Sequence, residues 1–494
     1  MAESYDYDLL IIGAGSGGLT AAPFAAKAGA KVALIERHRI GGDCTWTGCV
    51  PSKALLKAAK IAHDARLSAH FGLTATLEPV DLKRVMGYVR TAIDTIYQTE
   101  TPERLKDEGI DVHMGAASFK DAHTLVIRPP ESGPPSNSDS PDTLTAYEVS
   151  AKNVLICTGG RAVVPNVSGI TDVPYHTNDT IFDLDVLPRH LLVLGGGPIG
   201  LELAQAFRRL GSEVTVLQSA GRLLPKDEPE ASQLVLQILQ GEGVTVHLST
   251  QATAVERHGD AITLHTSAGD LTGDVLLVAA GRRPNVESLD LLGAGVAFSD
   301  KGVPVDEHLR TNIKHIYAAG DVIGGPQFTH VAGYQAFVAA RNALFPGADK
   351  GIVESVPWTT FVDPEVAHVG LTEAEARAAG HAAGTSDEIG VQLWPMAKVD
   401  RAVTDGDTHG FIKLIHRKDG TVLGATIVAE RAGEIIHEWA LAIQNKWKIG
   451  ALAGVIHVYP TYAIANQQLA SAYSVESFIN SSAGRVLNRL RGRK

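Results

Sequence analysis

The sequence has few cysteines, less positive than negative charge and no long hydrophobic run. Three cysteines in 494 residues exclude a secreted scaffold that is held together by disulfides. Lysine and arginine number 44 against 55 acidic residues, and the net charge of −11 argues against nucleic acid as the main partner. The acidic residues 1–8 are followed by only four apolar residues. We therefore expect neither a signal peptide nor a membrane span, and a cytoplasmic location.

The chain is long and rich in glycine. Its length exceeds what one hydrophobic core supports and suggests roughly three or four domains. A hydrophobic content of 45% and a charged content of 20% are typical of a globular protein. The 50 glycines, in a chain without a short repeat, predict several tight turns between strands and helices.

A dinucleotide-binding turn is predicted near the start of the chain. The predicted strand 8–12 leads into the glycine motif of Gly13, Gly15 and Gly18, and a second predicted strand, 31–35, ends at Glu36. Glycines in this strand–turn–helix context let a pyrophosphate approach backbone N–H groups, while the acid binds a ribose hydroxyl. The alternative is a glycine turn in an ordinary α/β unit.

The same unit recurs 182 positions later, at Gly195, Gly197 and Gly200. Gln218 takes the place of Glu36 in this second copy. A carboxylate would repel a 2′-phosphate, whereas a neutral amide does not, so the second site is not restricted to NAD(H). No arginine stands at that position to favour NADP(H). Arg222 and Lys226 could contribute, or they could be solvated loop charges.

Two of the three cysteines, Cys44 and Cys49, lie in a glycine-rich loop before a predicted helix. Pro51 suits the first turn of that helix. A thiol at a helix N-terminus has a lowered pKa, which favours reversible disulfide chemistry. A zinc site is not expected, because no second ligand pair has tetrahedral spacing, and we predict no metal site. We expect Cys157 to be a buried, inert thiol.

The composition and hydrophobic pattern of the remaining segments predict helices, an exposed loop and a separate C-terminal domain. Helical stretches are predicted at about 51–69 and 79–108, and the Pro/Ser-rich segment 128–142 is predicted to be an exposed hairpin extension. From about Val356 onward, strands at 410–416 and 421–429 are followed by helices without a dinucleotide signature. This last third is interpreted as a substrate or subunit-interface domain.

These motifs together resemble the flavin-dependent pyridine nucleotide–disulfide oxidoreductases, the family of glutathione reductase, dihydrolipoamide dehydrogenase and mercuric reductase. The resemblance covers nearly the whole chain and rests on six elements in the family's order. They are the first glycine motif, the loop 41–53, the Thr158-Gly159 turn, the second glycine motif, the strand ending at Asp321, and the segment 361–373.

The resemblance implies an α/β fold with two Rossmann-like domains, for FAD and NAD(P), and a C-terminal α+β dimerisation domain. The boundaries we expect are 1–165 and 283–352 for the FAD domain, 166–282 for the NAD(P) domain, 353–480 for dimerisation and 481–494 for a basic tail. The cofactor-binding residues it implies are Gly13, Gly15, Gly18, Glu36, Gly42, Lys53, Thr158, Gly159, Gly195, Gly197, Gly200, Gln218, Gly281 and Asp321.

The resemblance also assigns catalytic roles. Cys49 would lie against the flavin and Cys44 would exchange with the substrate, so that electrons pass from NAD(P)H through FAD to the cysteine pair. Lys53 and Glu202 match the ion pair beside the reactive flavin nitrogen. The alternatives are an exposed helix lysine and a helix-terminal acid.

The chain departs from the disulfide-reducing members at two places. Tyr459 stands where they carry a proton-shuttling histidine, and Ile464 replaces the glutamate that orients it. Tyrosine, with a pKa near 10, is a poor shuttle at neutral pH. His457 could substitute, although we expect it to be structural. A tyrosine at this place resembles mercuric reductase, but the C-terminal cysteine pair of that enzyme is missing here.

Smaller departures concern the loop and the tail. Asp43 and Trp46 replace the usual threonine and asparagine; we expect Asp43 to raise the pKa of Cys44 and Trp46 to pack on the loop. The basic residues 481–494 are expected to be solvated, with contact to an anionic membrane surface as the alternative.

The expected function is an FAD-dependent NAD(P)H oxidoreductase acting on a small acceptor, either a metal ion such as mercuric ion or a disulfide. The alternatives are a quinone or dye reductase acting from the flavin, an enzyme like dihydrolipoamide dehydrogenase, and a redox-sensing subunit without turnover. A homodimer is implied by the resemblance, with Tyr459 facing Cys44 of the partner subunit.

Overall fold

The computed structural model describes residues 4–129, 145–382, 384 and 388–490. The Pro/Ser-rich segment predicted as a hairpin extension lies, from residue 130 onward, outside these residues. The strands are β1 Tyr7–Ile12, β2 Val32–Glu36, β3 Ile110–Met114, β4 Ala116–Phe119, β5 Thr124–Arg128, β6 Tyr147–Ile156, β7 Gly160–Ala162, β8 His190–Leu194, β9 Glu213–Leu217, β10 Thr245–His247, β11 Ala252–His258, β12 Ala261–Thr266, β13 Gly269–Gly273, β14 Val275–Val278, β15 Arg282–Pro284, β16 Ile316–Ala318, β17 Trp358–Thr360, β18 Glu365–Gly370, β19 Ile389–Pro395, β20 Phe411–Arg417 and β21 Val422–Ala429.

The α-helices alternate with these strands in the first two thirds of the chain and cluster at the end. They are α1 Ser16–Lys27, α2 Gly42–Trp46, α3 Cys49–Leu67, α4 Leu82–Tyr97, α5 Pro102–Asp107, α6 Pro198–Leu210, α7 Pro229–Gly241, α8 Thr329–Leu344, α9 Glu373–Ala382, α10 Asp400–Asp405, α11 Ala432–Ile435, α12 His437–Gln444, α13 Gly450–Ala453, α14 Ile464–Asn480 and α15 Ser482–Leu490. Among the described residues, no helix combines the length and the apolar character that crossing a membrane requires.

The first dinucleotide unit lies in a seven-stranded sheet of order β3-β2-β1-β6-β5-β4, with β16 beside β6. Strand β1 is parallel to both β2 and β6. Residues 9–12 form a continuous buried run, as expected of a parallel strand that is covered on both faces. Strand β16 brings the chain back to this sheet after the second dinucleotide unit, so the carboxyl ends of β1 and β16 lie on one edge.

The second unit repeats the plan of the first. Its parallel sheet has the order β10-β9-β8-β14, and the antiparallel sheet β11-β12-β13 follows in sequence. The 182-residue shift superimposes β8, α6 and β9 on β1, α1 and β2. The internal repeat predicted from the glycines is therefore a repeat of structure.

The last third contains a five-stranded antiparallel sheet of order β17-β18-β21-β20-β19. Helices α11 to α14 cover it, and the buried ring of Trp439 packs with Ile412, Leu414 and Ile427 in one core. The predicted fold class, two Rossmann-like domains and a C-terminal α+β domain, is confirmed.

The stretch 79–108, predicted to be helical, is two helices. Helix α4 ends at Tyr97, and α5 begins at Pro102 with Thr101 as its N-cap, whose Oγ1 accepts a hydrogen bond from the N–H of Arg104 at 3.4 Å. A proline cannot donate the backbone hydrogen bond that a continuous helix needs, so the chain turns before it.

A buried lysine joins the second dinucleotide unit to the C-terminal sheet. Nζ of Lys413, on β20, lies 3.0 Å from Glu228, 2.8 Å from Glu230 and 2.9 Å from Glu373. Burial opposes the charge, but the three carboxylates outweigh it and raise the pKa of Lys413. A lysine this buried requires its partners, so the contact fixes the two regions beside each other.

Candidate active site

A cavity of about 2400 Å³ brings both glycine turns and the cysteine loop together. The predicted site residues that line it are Gly13, Gly15, Glu36, Gly42, Cys44, Cys49, Lys53, Thr158, Gly159, Gly195, Gly197, Glu202, Gln218, Gly281 and Asp321. Gly18 and Gly200 lie beneath the two turns, and Tyr459 lies elsewhere. The fold therefore gathers residues from distant parts of the sequence at one site.

The two glycine turns have the shape that a dinucleotide requires. A Cβ on Gly18 would lie 2.0 Å from the carbonyl oxygen of Gly13, and a Cβ on Gly200 would lie 2.0 Å from that of Gly195. Any side chain would push each helix away from its strand. With glycine, the N-termini of α1 and α6 reach the cavity, and helix N-termini of this kind provide N–H groups that suit a pyrophosphate.

Glu36 and Gln218 make equivalent contacts in the two units. Oε2 of Glu36 accepts the N–H of Ala14 at 2.9 Å, and Oε1 of Gln218 accepts the N–H of Gly196 at 2.9 Å. Each side chain is thereby held at the end of its second strand, where a ribose would lie. The amide Nε2 of Gln218 donates to the carbonyl of Arg222 at 3.3 Å, so the second site presents a neutral group there.

The cysteine pair lies at the junction of two helices. Cys44 is within the short helix α2, and Cys49 is the first residue of α3, with Pro51 in its first turn as predicted. Neither cysteine is in a disulfide. Their hydrogen bond lowers the pKa of Cys49 to about 6, helped by Thr329 and Lys53, and raises the pKa of Cys44, which burial raises further. These opposite shifts favour a Cys49 thiolate and a Cys44 thiol at neutral pH.

Asp43 does not have the role that its position in the sequence suggests. Its Oδ2 accepts a hydrogen bond at 2.5 Å from Arg282, which also contacts the carbonyl of Gly160 at 3.0 Å and Asp321 at 3.5 Å. The pKa of Cys44 is raised as expected, but Cys49 and burial are the causes. The expected effect of Asp43 was therefore wrong in its cause, because Arg282 neutralises the carboxylate.

Lys53 and Glu202 meet across the cavity wall. Nζ of Lys53 lies 2.9 Å from Oε2 of Glu202, and Oε1 of Glu202 accepts the backbone N–H of Phe361 at 2.9 Å. The ammonium also lies over the ring of Phe361, 4.3 Å from its centroid. Lys53 is therefore a paired group in the cavity, and not an isolated surface lysine.

Tyr459 and His457 lie outside the cavity of their own chain. Tyr459 is 63% exposed, and its hydroxyl donates to Asp400 at 2.7 Å, which raises the pKa of Tyr459.

The ring nitrogens of His457 contact the carbonyl of Val455 at 3.0 Å and Glu438 at 2.9 Å. Burial opposes its charge, but these bonds raise the pKa of His457. With both nitrogens engaged, His457 anchors the loop, in keeping with its structural interpretation.

Two further expectations are met. Cys157 is buried, and burial raises its pKa to about 12, as expected of an inert thiol. The indole N–H of Trp46 donates to the carbonyl of Ile40 at 2.7 Å, and its ring packs 5.0 Å from Tyr97. Trp46 therefore packs on the loop.

Sequence reasoning missed Thr329. Its Oγ1 lies 3.3 Å from Sγ of Cys49, and it begins helix α8, whose N-terminus points toward the thiolate. The two residues are 280 positions apart. The signal that could have found Thr329 is its place at a helix start shortly after the Asp321 strand.

The fold and this site define a class of protein, and sequence comparison agrees. The chain matches the description "Pyridine nucleotide-disulphide oxidoreductase" over residues 7–336 and the dimerisation domain of that family over residues 356–470. The chain belongs to this family and is a flavin-dependent enzyme whose cofactors are FAD and NAD(P)H. The glycine turns and the ribose-position side chains described above fit these cofactors.

Particular relatives include mercuric reductases. The chain is 38% identical to mercuric reductase of Streptomyces lividans, over 95% of this chain and 96% of that one. It is 34% identical to dihydrolipoyl dehydrogenase of Bacillus subtilis, over 92% and 93%. The solved Cu(II) complex of the HOCl-induced flavoprotein disulfide reductase RclA from Escherichia coli is 30% identical, with a TM-score of 0.83, over 95% of this chain and 100% of that one.

Proposed function

We propose that this enzyme oxidises NAD(P)H and uses the Cys44–Cys49 pair to reduce a small, soft metal ion such as mercuric ion. The observation that carries the proposal is that Cys44 and Cys49 line the same cavity as both dinucleotide turns. Their opposite pKa shifts favour a Cys49 thiolate beside a Cys44 thiol. Two sulfur ligands of this kind bind soft metal ions.

Each cofactor has a set of residues to hold it. Gly13, Gly15, Gly18, Glu36, Gly42, Thr158, Gly159 and Asp321 would hold FAD, and Gly195, Gly197, Gly200, Gln218 and Gly281 would hold NAD(P)H. Bound FAD supplies the two-electron relay between NAD(P)H and the cysteines. Lys53 and Glu202 lie between the two sets, where an ion pair can stabilise charge that develops during hydride transfer.

The two cysteines have different roles in the proposed reaction. In the oxidised enzyme they form a disulfide; two electrons break the S–S bond, and one proton gives the thiol of Cys44 while Cys49 stays a thiolate. Thr329 and Lys53 stabilise that thiolate. Cys44 lies within α2, and the family resemblance assigns it as the thiol that meets the acceptor.

The proposed class of electron acceptor, a metal ion, rests on whether reduction of the acceptor needs a proton. Reduction of an external disulfide needs a proton for the leaving thiolate, and Tyr459, whose pKa is raised, holds its proton too tightly at neutral pH. Reduction of a metal ion needs no such proton. The names of the mercuric reductase relatives and of the copper complex support a metal acceptor.

We also propose that the enzyme is a homodimer. The match to the dimerisation domain supports it, and Tyr459 lies among exposed apolar residues of its loop, including Ile456 and Val458. In this arrangement Tyr459 would face Cys44 of the partner subunit.

The test is anaerobic NADH and NADPH oxidation with a panel of mercuric ion, cupric ion, lipoamide, glutathione disulfide and a quinone. We expect metal-dependent turnover that is lost in Cys44→Ser and Cys49→Ser and kept in the matched control Cys157→Ser. Faster turnover of a disulfide would contradict the metal assignment. Undiminished quinone turnover in Cys49→Ser, with no other acceptor used, would make the protein a quinone reductase.

A further inference from the structure

The two last described helices present an apolar strip with positive charge beside it. Helix α15 places Ala483, Val486 and Leu490 on one face, at spacings of three and four residues, and Arg485 and Arg489 on another. Val486 is 55% exposed and Leu490 is 80% exposed. Nothing in the described part of this chain covers them.

The end of α14 carries further exposed apolar residues. Its exposed members there are Val475, Phe478 and Ile479, which share one side of the helix at spacings of three and four residues. Helices α14 and α15 are separated only by Ser481. The strip is defined by these three residues together with Val486 and Leu490, so five large apolar side chains are exposed along two successive helices.

The positive charge beside the strip indicates what kind of surface binds it. Residues 475–494, which contain the whole strip, include five arginines and lysines and one acidic residue, Glu476, in a chain of net charge −11. A contact between two copies that pairs α15 with itself about a twofold axis would bring like charges together. An anionic surface with an apolar interior matches both features.

We propose that the strip and Arg485 and Arg489 bind the surface of an anionic lipid bilayer, with α15 lying in the plane of the interface. A helix with apolar residues on one face and arginines on the other inserts its apolar face at the headgroup boundary, while the arginines meet lipid phosphates. Leu490 and Val486 enter the boundary, and Phe478 extends the inserted face along α14. The enzyme is thereby a peripheral membrane protein through this end of its C-terminal region.

The test is flotation of the full-length holoenzyme with vesicles of phosphatidylcholine, with or without phosphatidylglycerol. We expect binding only to the anionic vesicles and a decrease as salt increases. Val486→Asp with Leu490→Asp abolishes binding. Arg485→Gln with Arg489→Gln weakens binding about thirtyfold, at about fivefold for each charge.

The matched control is Val186→Asp with Leu292→Asp, two apolar residues as exposed as Leu490 on other parts of the chain; it should bind as wild type does. Equal binding of the Val486→Asp, Leu490→Asp variant, or no binding of the wild type, overturns the proposal. So does loss of the dimer in that variant by sedimentation, which would assign the strip to a contact between copies. Retention on RNA through the same arginines, without vesicle binding, would also overturn it. None of these outcomes depends on the acceptor.

Discussion

Arg282 and Asp43 form a hydrogen-bonded ion pair at 2.5 Å although they are 239 positions apart. The pair connects β15, after the second dinucleotide unit, to the residue that precedes Cys44. It also places the guanidinium 3.5 Å from Asp321, so one partly buried cation pairs with two carboxylates that line the cavity. The loop that carries Cys44 and Cys49 is therefore held in place by a residue from a distant part of the sequence.

Removing Arg282 should weaken the fold more than removing Asp43, because the guanidinium also contacts Asp321 and the carbonyl of Gly160. Arg282→Gln leaves Asp43 without its cation, and Asp43→Asn leaves the guanidinium with one carboxylate. Because Asp43 is half exposed, we expect a coupling energy of only about 1 kcal/mol. A double-mutant cycle in urea measures it, with Arg161→Gln as the control, since Arg161 pairs with Glu287, which lies in the turn after β15. Strictly additive effects of Arg282→Gln and Asp43→Asn would show that the pair is not coupled.

The Lys53–Glu202 pair should control the step that uses NAD(P)H. Lys53→Met removes the charge beside the hydride path, so we expect anaerobic reduction of the bound flavin to slow by about a hundredfold. Stopped-flow absorbance measures this rate directly. Lys120→Met breaks the exposed pair with Glu148 instead and should leave the rate unchanged. A wild-type rate in Lys53→Met would remove Lys53 from the catalytic residues.

Gln218 should set the tolerance for NADPH. Gln218→Glu keeps an acceptor for the N–H of Gly196 but adds negative charge at the ribose position. We expect kcat/KM for NADPH to fall about tenfold or more relative to NADH, because a 2′-phosphate would be repelled. Steady-state kinetics with both nucleotides test this. The reciprocal change Glu36→Gln, at the equivalent FAD position, should not alter the NADH-to-NADPH ratio, and an equal change there would contradict the assignment.

The pH dependence of the reduced cysteine pair should follow Cys49. Its pKa of about 6 lies below the usual thiol value, so Cys49 is a thiolate above pH 6 and becomes protonated as the pH falls through that value. Cys44→Ala removes the hydrogen-bond donor and should raise the midpoint by about one to two pH units. Cys44→Ser retains an O–H donor and should raise it less. Ultraviolet absorbance of the thiolate measures the midpoint, and identical midpoints in the two variants would rule out the hydrogen bond as its cause.

The parts of the site that could be predicted from sequence are those with fixed spacing. The glycines of each turn, Glu36 and the cysteine pair act with neighbours within a few residues or one βαβ unit, so a single stretch of chain specifies them. Gln218 was found in the same way, because the second unit repeats the first. The stretch 79–108 shows the limit of this reasoning, since helical composition hid the break before Pro102.

What the sequence alone determined is therefore the family, its cofactors and the position of the candidate cysteine pair in the loop before α3. The tertiary structure decided which of them ionises and what surrounds it. Thr329 reaches Cys49 across 280 positions, Glu202 reaches Lys53 across 149, and Arg282 neutralises Asp43. No local sequence pattern predicts these contacts, because they form only when separate domains pack around one cavity. Burial and charge at that cavity then decide how each group titrates.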